Sequence, residues 1–416
     1  MPFYTKPRSQ LGVADLEELL ADGAVENLRL EFKLKVPDKL DTLKKLSSFA
    51  NTFGGFMVVG AEAEKDGRIK GLPGVDVEPG YKQKVVDWCS SSASPPFYVE
   101  VSDPIPAPNS STKVCYVVYT AESEVAPHFL NGRNGVWVRT DEFSKTVQVQ
   151  LATELELRGL LDRRRLVRDR RTNLIARTKQ RFNTYAKKQY TDTGGSPTKR
   201  DPVIEIVFVP RFPARPLCGQ EELINHVRSS GFHWRSGKFP STSSPTISQH
   251  ESLLTLDPAR PVSIFEVNVW GMLFYGTYMP TTNPSDVTGI HINRVIGSML
   301  VFVVHAGKMI QALGYSGPIM LDVSLRSIID VSWVHAWQGY PEKVGGSRLD
   351  DEVTFNVQST TDDLRDRPYG VLIEILRQIL FSVDLAGYAG STQNLETIVK
   401  KGYEYNGWEK PTTLRI

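Results

Sequence analysis

The chain has 416 residues, of which 40% are hydrophobic, 10% aromatic and 23% charged. That composition excludes wholesale disorder and fibrous architecture and is ample for two domains. Forty-nine Lys and Arg against 47 Asp and Glu leave a net charge of +2, so the total alone does not mark a nucleic-acid binder.

Residues 14–21 predict a short helix ended by the Asp22-Gly23 turn. In Leu28–Lys35 the alternation is complete: Leu28, Leu30, Phe32 and Leu34 point one way, Arg29, Glu31, Lys33 and Lys35 the other. This predicts a strand with one packed and one charged face. Asp38 is a candidate N-cap for an amphipathic helix carrying Leu40, Leu43, Leu46, Phe49, Ala50 and Phe53, and Gly54-Gly55 stops it before a buried strand at Phe56–Ala61. A helix over Tyr81–Ser90, a strand over Val114–Thr120 and, past a turn around Asn131–Gly135, a strand over Val136–Arg139 complete a first domain at 10–155.

Residues 156–200 predict a basic helical connector and linker: 151–190 read as continuous helix, and Thr191–Asp201 has linker composition. Residues 201–416 predict a second domain of α+β class. It opens with a strand at Val203–Val209 and continues through a helix near Glu221–Ser229 to a Ser/Thr/Pro-rich loop at Phe239–Ser248. A hairpin from Ser263–Val269 and Leu273–Met279, a long helix at Asn293–Leu313, a strand at Ile319–Leu325 and a final amphipathic helix at Tyr369–Val383 follow. The apolar stretch Val295–Leu313 is broken by Ser298, His305, Lys308 and Gln311, which favours a buried helix over a membrane span. The fold class of the whole chain is α+β. Cys89, Cys115 and Cys218 form no C-x-x-C pair, and the N-terminus lacks a basic-then-apolar leader, so a cytoplasmic location is expected.

Glu26, Glu31 and Lys33 crowd one strand edge. Metal-dependent phosphodiester hydrolysis needs oxygen ligands for Mg²⁺ or Mn²⁺ and a cation near the charge that develops on phosphorus. The same Glu-x-Lys spacing is equally compatible with an ordinary solvated strand face. Residues 151–200 hold fourteen Lys and Arg against five acids, a local charge of +9 against −7 for the remainder. Within them Arg163, Arg164, Arg165, Arg168, Arg170 and Arg171 are candidate phosphate contacts, with a solvated charged helix as the alternative. The histidines of the second domain show no tight ligand spacing, and His305 reads as a core residue.

Taken as a set, several motifs resemble the Schlafen AlbA-like domain family over about residues 10–160. They are the E-x4-E-F-K strand (Glu26, Glu31, Phe32, Lys33), the helix end Ser48, Phe49, Ala50, Asn51, Thr52, Gly54, Gly55, the strand Phe56–Gly60, the turn Ile69, Gly71, Leu72 and the V-W-V-R strand Val136–Arg139. The resemblance implies an α+β nucleic-acid-binding domain and, for some Schlafens, a divalent-metal endoribonuclease that cuts tRNA or rRNA with three acidic residues. It places the first two acids on Glu26 and Glu31, with Lys33 as electrostatic stabiliser and Mg or Mn as the implied cofactor. Gly60 plus three is Ala63, so the third acid falls on Glu62, Glu64 or Asp66 of the turn Ala61–Gly67, Glu64 first among them. Lys35 and Arg139 join the nucleic-acid-binding candidates. Other members are described as DNA-binding or ATP-binding, but ATP is not expected here because no G-x4-G-K-[ST] loop occurs, and no zinc is expected because no Cys/His cluster occurs.

Three readings stay open: a divalent-metal endoribonuclease acting on structured RNA, a non-catalytic DNA- or RNA-binding regulator, and an oligomerising scaffold. Nucleic acid is the expected partner, RNA ahead of DNA. No membrane is expected, and a homo-oligomer, if formed, is expected to run through the C-terminal domain.

Overall fold

The computed structural model describes residues 6, 8–108, 110, 112–132, 135–140, 148–192, 202–210, 216–230, 232–234, 237–239, 246–257, 263–279, 289–315, 317–329, 331–337, 340–344, 350–385, 395–397 and 399–400. Two compact units emerge, one ending at Arg171 and the other beginning at Thr172. Both mix helices with sheets, and the class is α+β.

In chain order the first unit contains α1 (Val13–Ala21), β1 (Leu30–Lys33), α2 (Lys39–Asn51), β2 (Gly55–Val59), β3 (Glu62–Ala63), β4 (Ile69–Gly71) and α3 (Tyr81–Ser91). Then come β5 (Ala93–Ser94), β6 (Glu100–Val101), β7 (Ile105–Pro106), β8 (Val114–Thr120), β9 (Phe129–Leu130), β10 (Gly135–Thr140) and β11 (Gln148–Leu151), followed by α4 (Glu154–Asp192), which runs on into the second unit. The main sheet has the order β1-β2-β8-β6 with β7 also on β8; β1 and β2 are parallel and the other pairs antiparallel. A second sheet has the order β11-β10-β9-β5.

The period-two alternation of the central strands divides the main sheet between two cores. Met57, Val59, Tyr116 and Val118 face α2 and α3, where they meet Leu46, Phe49, Val85 and Cys89. Phe56, Val58, Cys115 and Val117 face α1, together with Leu30 and Phe32 of β1. Glu31 and Lys33 therefore lie on the α2 side of the sheet, at its rim.

β1 is shorter than the alternation predicted. Its partner β2 ends at Val59, and Lys33 O already accepts from both Gly60 and Ala61. Leu34 consequently loses its sheet neighbour and is 47% exposed. At α2 the predicted N-cap is in place, with Asp38 accepting from Asp41 N–H at 2.8 Å. The helix stops at glycines for steric reasons. Gly54 has φ +67, and a Cβ there would lie 2.6 Å from Glu122 N; a Cβ on Gly55 would strike the Phe49 ring at 2.4 Å.

The predicted connector does not stand free. Its helix starts at Glu154 because Leu151 still belongs to β11, paired with Trp137. Leu160 and Val167 are buried in the first unit, whereas Leu174, Phe182 and Ala186 are buried in the second. The linker predicted at Thr191–Asp201 lies outside the described residues apart from Thr191 and Asp192, which end α4.

The second unit continues with β12 (Val203–Pro210), α5 (Gln220–Ser230), β13 (Phe232–Trp234), β14 (Gly237–Phe239), β15 (Thr246–Gln249), β16 (Ser252–Asp257), β17 (Ser263–Asn268) and β18 (Leu273–Tyr278). Next are β19 (Ile290–His291), α6 (Ile292–Ala312), β20 (Pro318–Arg326), β21 (Trp333–Trp337), β22 (Tyr340–Val344), β23 (Glu352–Thr360), α7 (Thr361–Asp366) and α8 (Pro368–Ser382). The loop predicted at Phe239–Ser248 contains the end of β14 and most of β15, and 240–245 lie outside the described residues.

Seven strands form an antiparallel sheet in the order β15-β16-β17-β18-β12-β20-β23. One face packs Ile204, Ile206 and Phe208 against α5, α6 and α8. The other places Val203, Val207 and Val209 against Leu174 and Phe182 of α4. Glu205, on that second face and 1% exposed, is held by Arg326 and by Lys179 at 3.5 Å. Val295–Ala312 of α6 is long and apolar enough to cross a bilayer, yet 72% of it is buried inside the unit. His305 there is fully buried, its Nε2 3.2 Å from Ser230 Oγ.

Candidate nucleic-acid interface

Two groups of predicted residues belong to the first unit, and they differ in character. The first surrounds Glu31. Along α2, Asp41, Lys45 and Phe49 recur every four residues and so share one helix face. Each meets one member of the rim. Asp41 pairs with Lys33 at 3.2 Å, Lys45 with Glu31 Oε1 at 2.7 Å, and the Phe49 ring carries the Arg139 guanidinium 4.3 Å from its centroid. Glu31 Oε1 also lies 3.2 Å from Lys33 Nζ, and Oε2 accepts from Arg139 Nη2 at 2.9 Å. Both carboxylate oxygens are thus engaged by cations. Glu31 is 6% exposed, a buried position that only such pairing makes tolerable. Burial pushes its carboxyl up, but Lys45, Arg139 and Lys33 outweigh that and hold it below the ordinary value.

Glu26 has a different task. Phe56 N–H and Gly60 N–H bond to the carbonyls of Arg29 and Lys33, so the odd residues of β1 address β2 and Phe32 N–H points to the open rim. Glu26 Oε1 accepts that N–H at 2.8 Å and closes the edge. Burial and then, against the Phe32 bond, the nearby Glu31 charge raise the Glu26 carboxyl above its ordinary value.

These contacts test the implied metal. A divalent cation at Glu31 would have to displace ammonium or guanidinium groups from both oxygens and then lie among three cations. The expected third acid, Glu64, is exposed on the turn behind Glu26, where its backbone pairs with Arg68 and Gly67. Among the described residues no group of three His, Cys, Asp or Glu is placed to hold a metal ion. The arrangement of Glu26, Glu31 and Glu64 does not fit Mg or Mn, because both oxygens of Glu31 are already paired with cations and Glu64 is not brought to them.

Arg139 is likewise corrected as a phosphate contact. It is 3% exposed and bonded to Glu31 and to Asn27 O at 3.1 Å, so its charge is spent on the core. Lys33 is also tied to its acids, whereas Lys35, beyond the end of β1, is exposed.

The second group lies on α4. Arg163 turns inward: Nη1 donates to Glu122 at 2.7 Å and to Thr52 O at 3.0 Å, and Nη2 to Asn51 O at 2.9 Å. It thereby satisfies carbonyls left open at the end of α2 and is corrected from phosphate contact to clasp. Arg171 pairs with the buried Glu124, and Arg170 is half-buried. Arg164, Arg165 and Arg168 remain exposed. Together with Arg171 and its partner Glu124 they line a cavity of about 420 Å³ whose walls also include Leu161, Val125 and Val167.

Sequence reasoning missed Lys45, Glu122 and Glu124. Lys45 had a legible signal, lying four residues from both Asp41 and Phe49; the two glutamates carried none. It also missed the work of Asn51, which is fully buried, accepts from His128 N–H at 2.8 Å and donates to Trp137 O at 2.9 Å. The helix-end motif and the V-W-V-R strand are therefore two sides of one stitched seam.

No curated protein and no solved structure matches the chain. Residues 26–148, which contain β1, α2, the seam and β10, match the family model described as Schlafen, AlbA_2, and this segment of the first unit is a Schlafen AlbA-like domain.

Proposed function

We propose that the protein binds nucleic acid through the exposed arginines of α4 and does so without cutting it. The observation that carries this reading is the contrast between the two groups. Both Glu31 oxygens are taken up by cations within the fold, while Arg164, Arg165 and Arg168 stand exposed around an open cavity whose lining joins Val125, Leu161 and Val167 to the Arg171–Glu124 pair. Guanidinium groups on one helix flank suit successive phosphates, and an apolar wall suits an unstacked base or sugar. RNA ranks ahead of DNA on the resemblance to the tRNA- and rRNA-cutting Schlafens. The endoribonuclease is the finer alternative; Glu26 and Glu31 support it by position, and the ion pairs at Glu31 weigh against it.

Fluorescence anisotropy of the full chain with a structured RNA tests the proposal. Replacing Arg164, Arg165 and Arg168 by Ser is expected to lower the slope of log K against log salt by about 2–3, from a contribution of roughly 0.7–0.9 per phosphate contact. No binding by the wild type at low salt overturns the reading. Incubation with Mn²⁺ is expected to leave the RNA intact, and cleavage abolished by Glu31→Ala would restore the enzyme.

A further inference from the structure

The seven-stranded sheet ends in two unlike strands. β15 has four residues, whereas β23 has nine that pair with β20 without a register shift. Natural sheets blunt long outer strands with lysine, proline or bulges. Between Val353 and Thr360 this strand carries no charge, proline or glycine.

The backbone groups on its outer side can be identified. Thr361 N–H bonds to Gly317 O, in register with the Pro318 and Thr360 pair. Residues 353, 355, 357 and 359 therefore turn their N–H and C=O toward β20, and residues 354, 356 and 358 turn theirs outward. Thr360 N–H, also outward, is taken by Asp363 at 3.1 Å, which closes that end. No described residue bonds to the outward groups of Thr354, Asn356 and Gln358, and all three residues are exposed.

We infer that β23 pairs antiparallel with β23 of a second copy of this chain, about a two-fold axis at Asn356. The sequence is self-complementary in that register. Asn356 meets itself in a hydrogen-bonded pair, Thr354 meets Gln358 and Phe355 meets Val357, so no like charges face each other over residues 354–358; Glu352 meets Thr360 at the two ends, beside the Asp363 carboxylate that caps it, and pairing is confined to the centre of the strand. The outward N–H and C=O groups of 354, 356 and 358 supply six backbone hydrogen bonds across the axis. α8 packs against β23 as well as α6. A closed two-fold contact uses the same patch twice and leaves no open strand to propagate.

Sedimentation velocity of the full chain over 1–100 µM, about two decades in concentration, tests this by mass action. The wild type is expected to dimerise, and Asn356→Lys, which opposes two cations on the axis, is expected to raise the dissociation constant at least tenfold. Asn356→Pro removes only an outward N–H and is expected to have the same effect with unchanged far-UV circular dichroism. Independently, Asn356→Cys is expected to form a covalent dimer on mild oxidation that the wild type does not, since directly opposed Cα atoms of a hydrogen-bonded pair lie about 5.5 Å apart. A wild type that stays monomeric, or a dimer indifferent to all three variants, overturns the inference. A monomer that still captures an unrelated strand peptide overturns it equally.

Discussion

At Glu31 one carboxylate draws in a lysine from its own strand, a lysine from α2 and an arginine from β10. Removing any one cation leaves buried charge poorly compensated, which costs more than the pair contributes net. Arg139→Ala is therefore expected to lower unfolding free energy by about 3 kcal/mol, measured by urea denaturation. Asn27 O and the Phe49 ring lose their partner as well. His128 offers a pH test. It is fully buried, its Nδ1 donates to Pro95 O at 2.7 Å, and burial holds its imidazole down to about 4, with the Pro95 carbonyl opposing and Arg163 and Arg164 reinforcing. The native ring is neutral while the unfolded ring takes up a proton near its ordinary 6.5. The unfolded state thus binds more protons between these values, and stability falls as pH drops from 6.5 toward 4 by about 3 kcal/mol. His128→Asn keeps an N–H donor and is expected to flatten that dependence in denaturation curves at pH 7 and pH 5.

Single elements were legible where local signals agreed. Asp38 and the period of α2 marked the start of that helix, whereas its end came at Asn51, two residues short of the predicted Phe53, which is 37% exposed; the unbroken apolar run Val114–Thr120 became β8 unchanged. β23 was legible in principle, since Val353, Phe355 and Val357 alternate with polar residues, but its half-exposed pattern is weaker than that of a buried strand. The burial of Glu31 was not legible, because it depends on Arg139, 108 residues away, and on the helix that covers the rim. For the same reason the basic run of α4 read as one uniform feature. Its sequence does not separate Arg163, which serves the carbonyls of α2, from Arg164, which faces outward; only the helix phase set by Leu160 and Val167 does so. The nucleic-acid face is accordingly narrower than the charge run that suggested it.

At the scale of the molecule, the segment that matches the family model stops at residue 148, but the packing that completes the first unit does not. Leu160 joins Ala126, Val136 and Val138 in a small core, and Arg163 reaches back to the carbonyls of Asn51 and Thr52. Whoever excises this domain by its recognisable boundary discards the strap that buckles it. A fragment ending at residue 151 is expected to melt below one ending at residue 171, by roughly 6–12 °C if about 3 kcal/mol of clasp and core are lost from a domain of this size. Differential scanning calorimetry of the two fragments would read the gap directly.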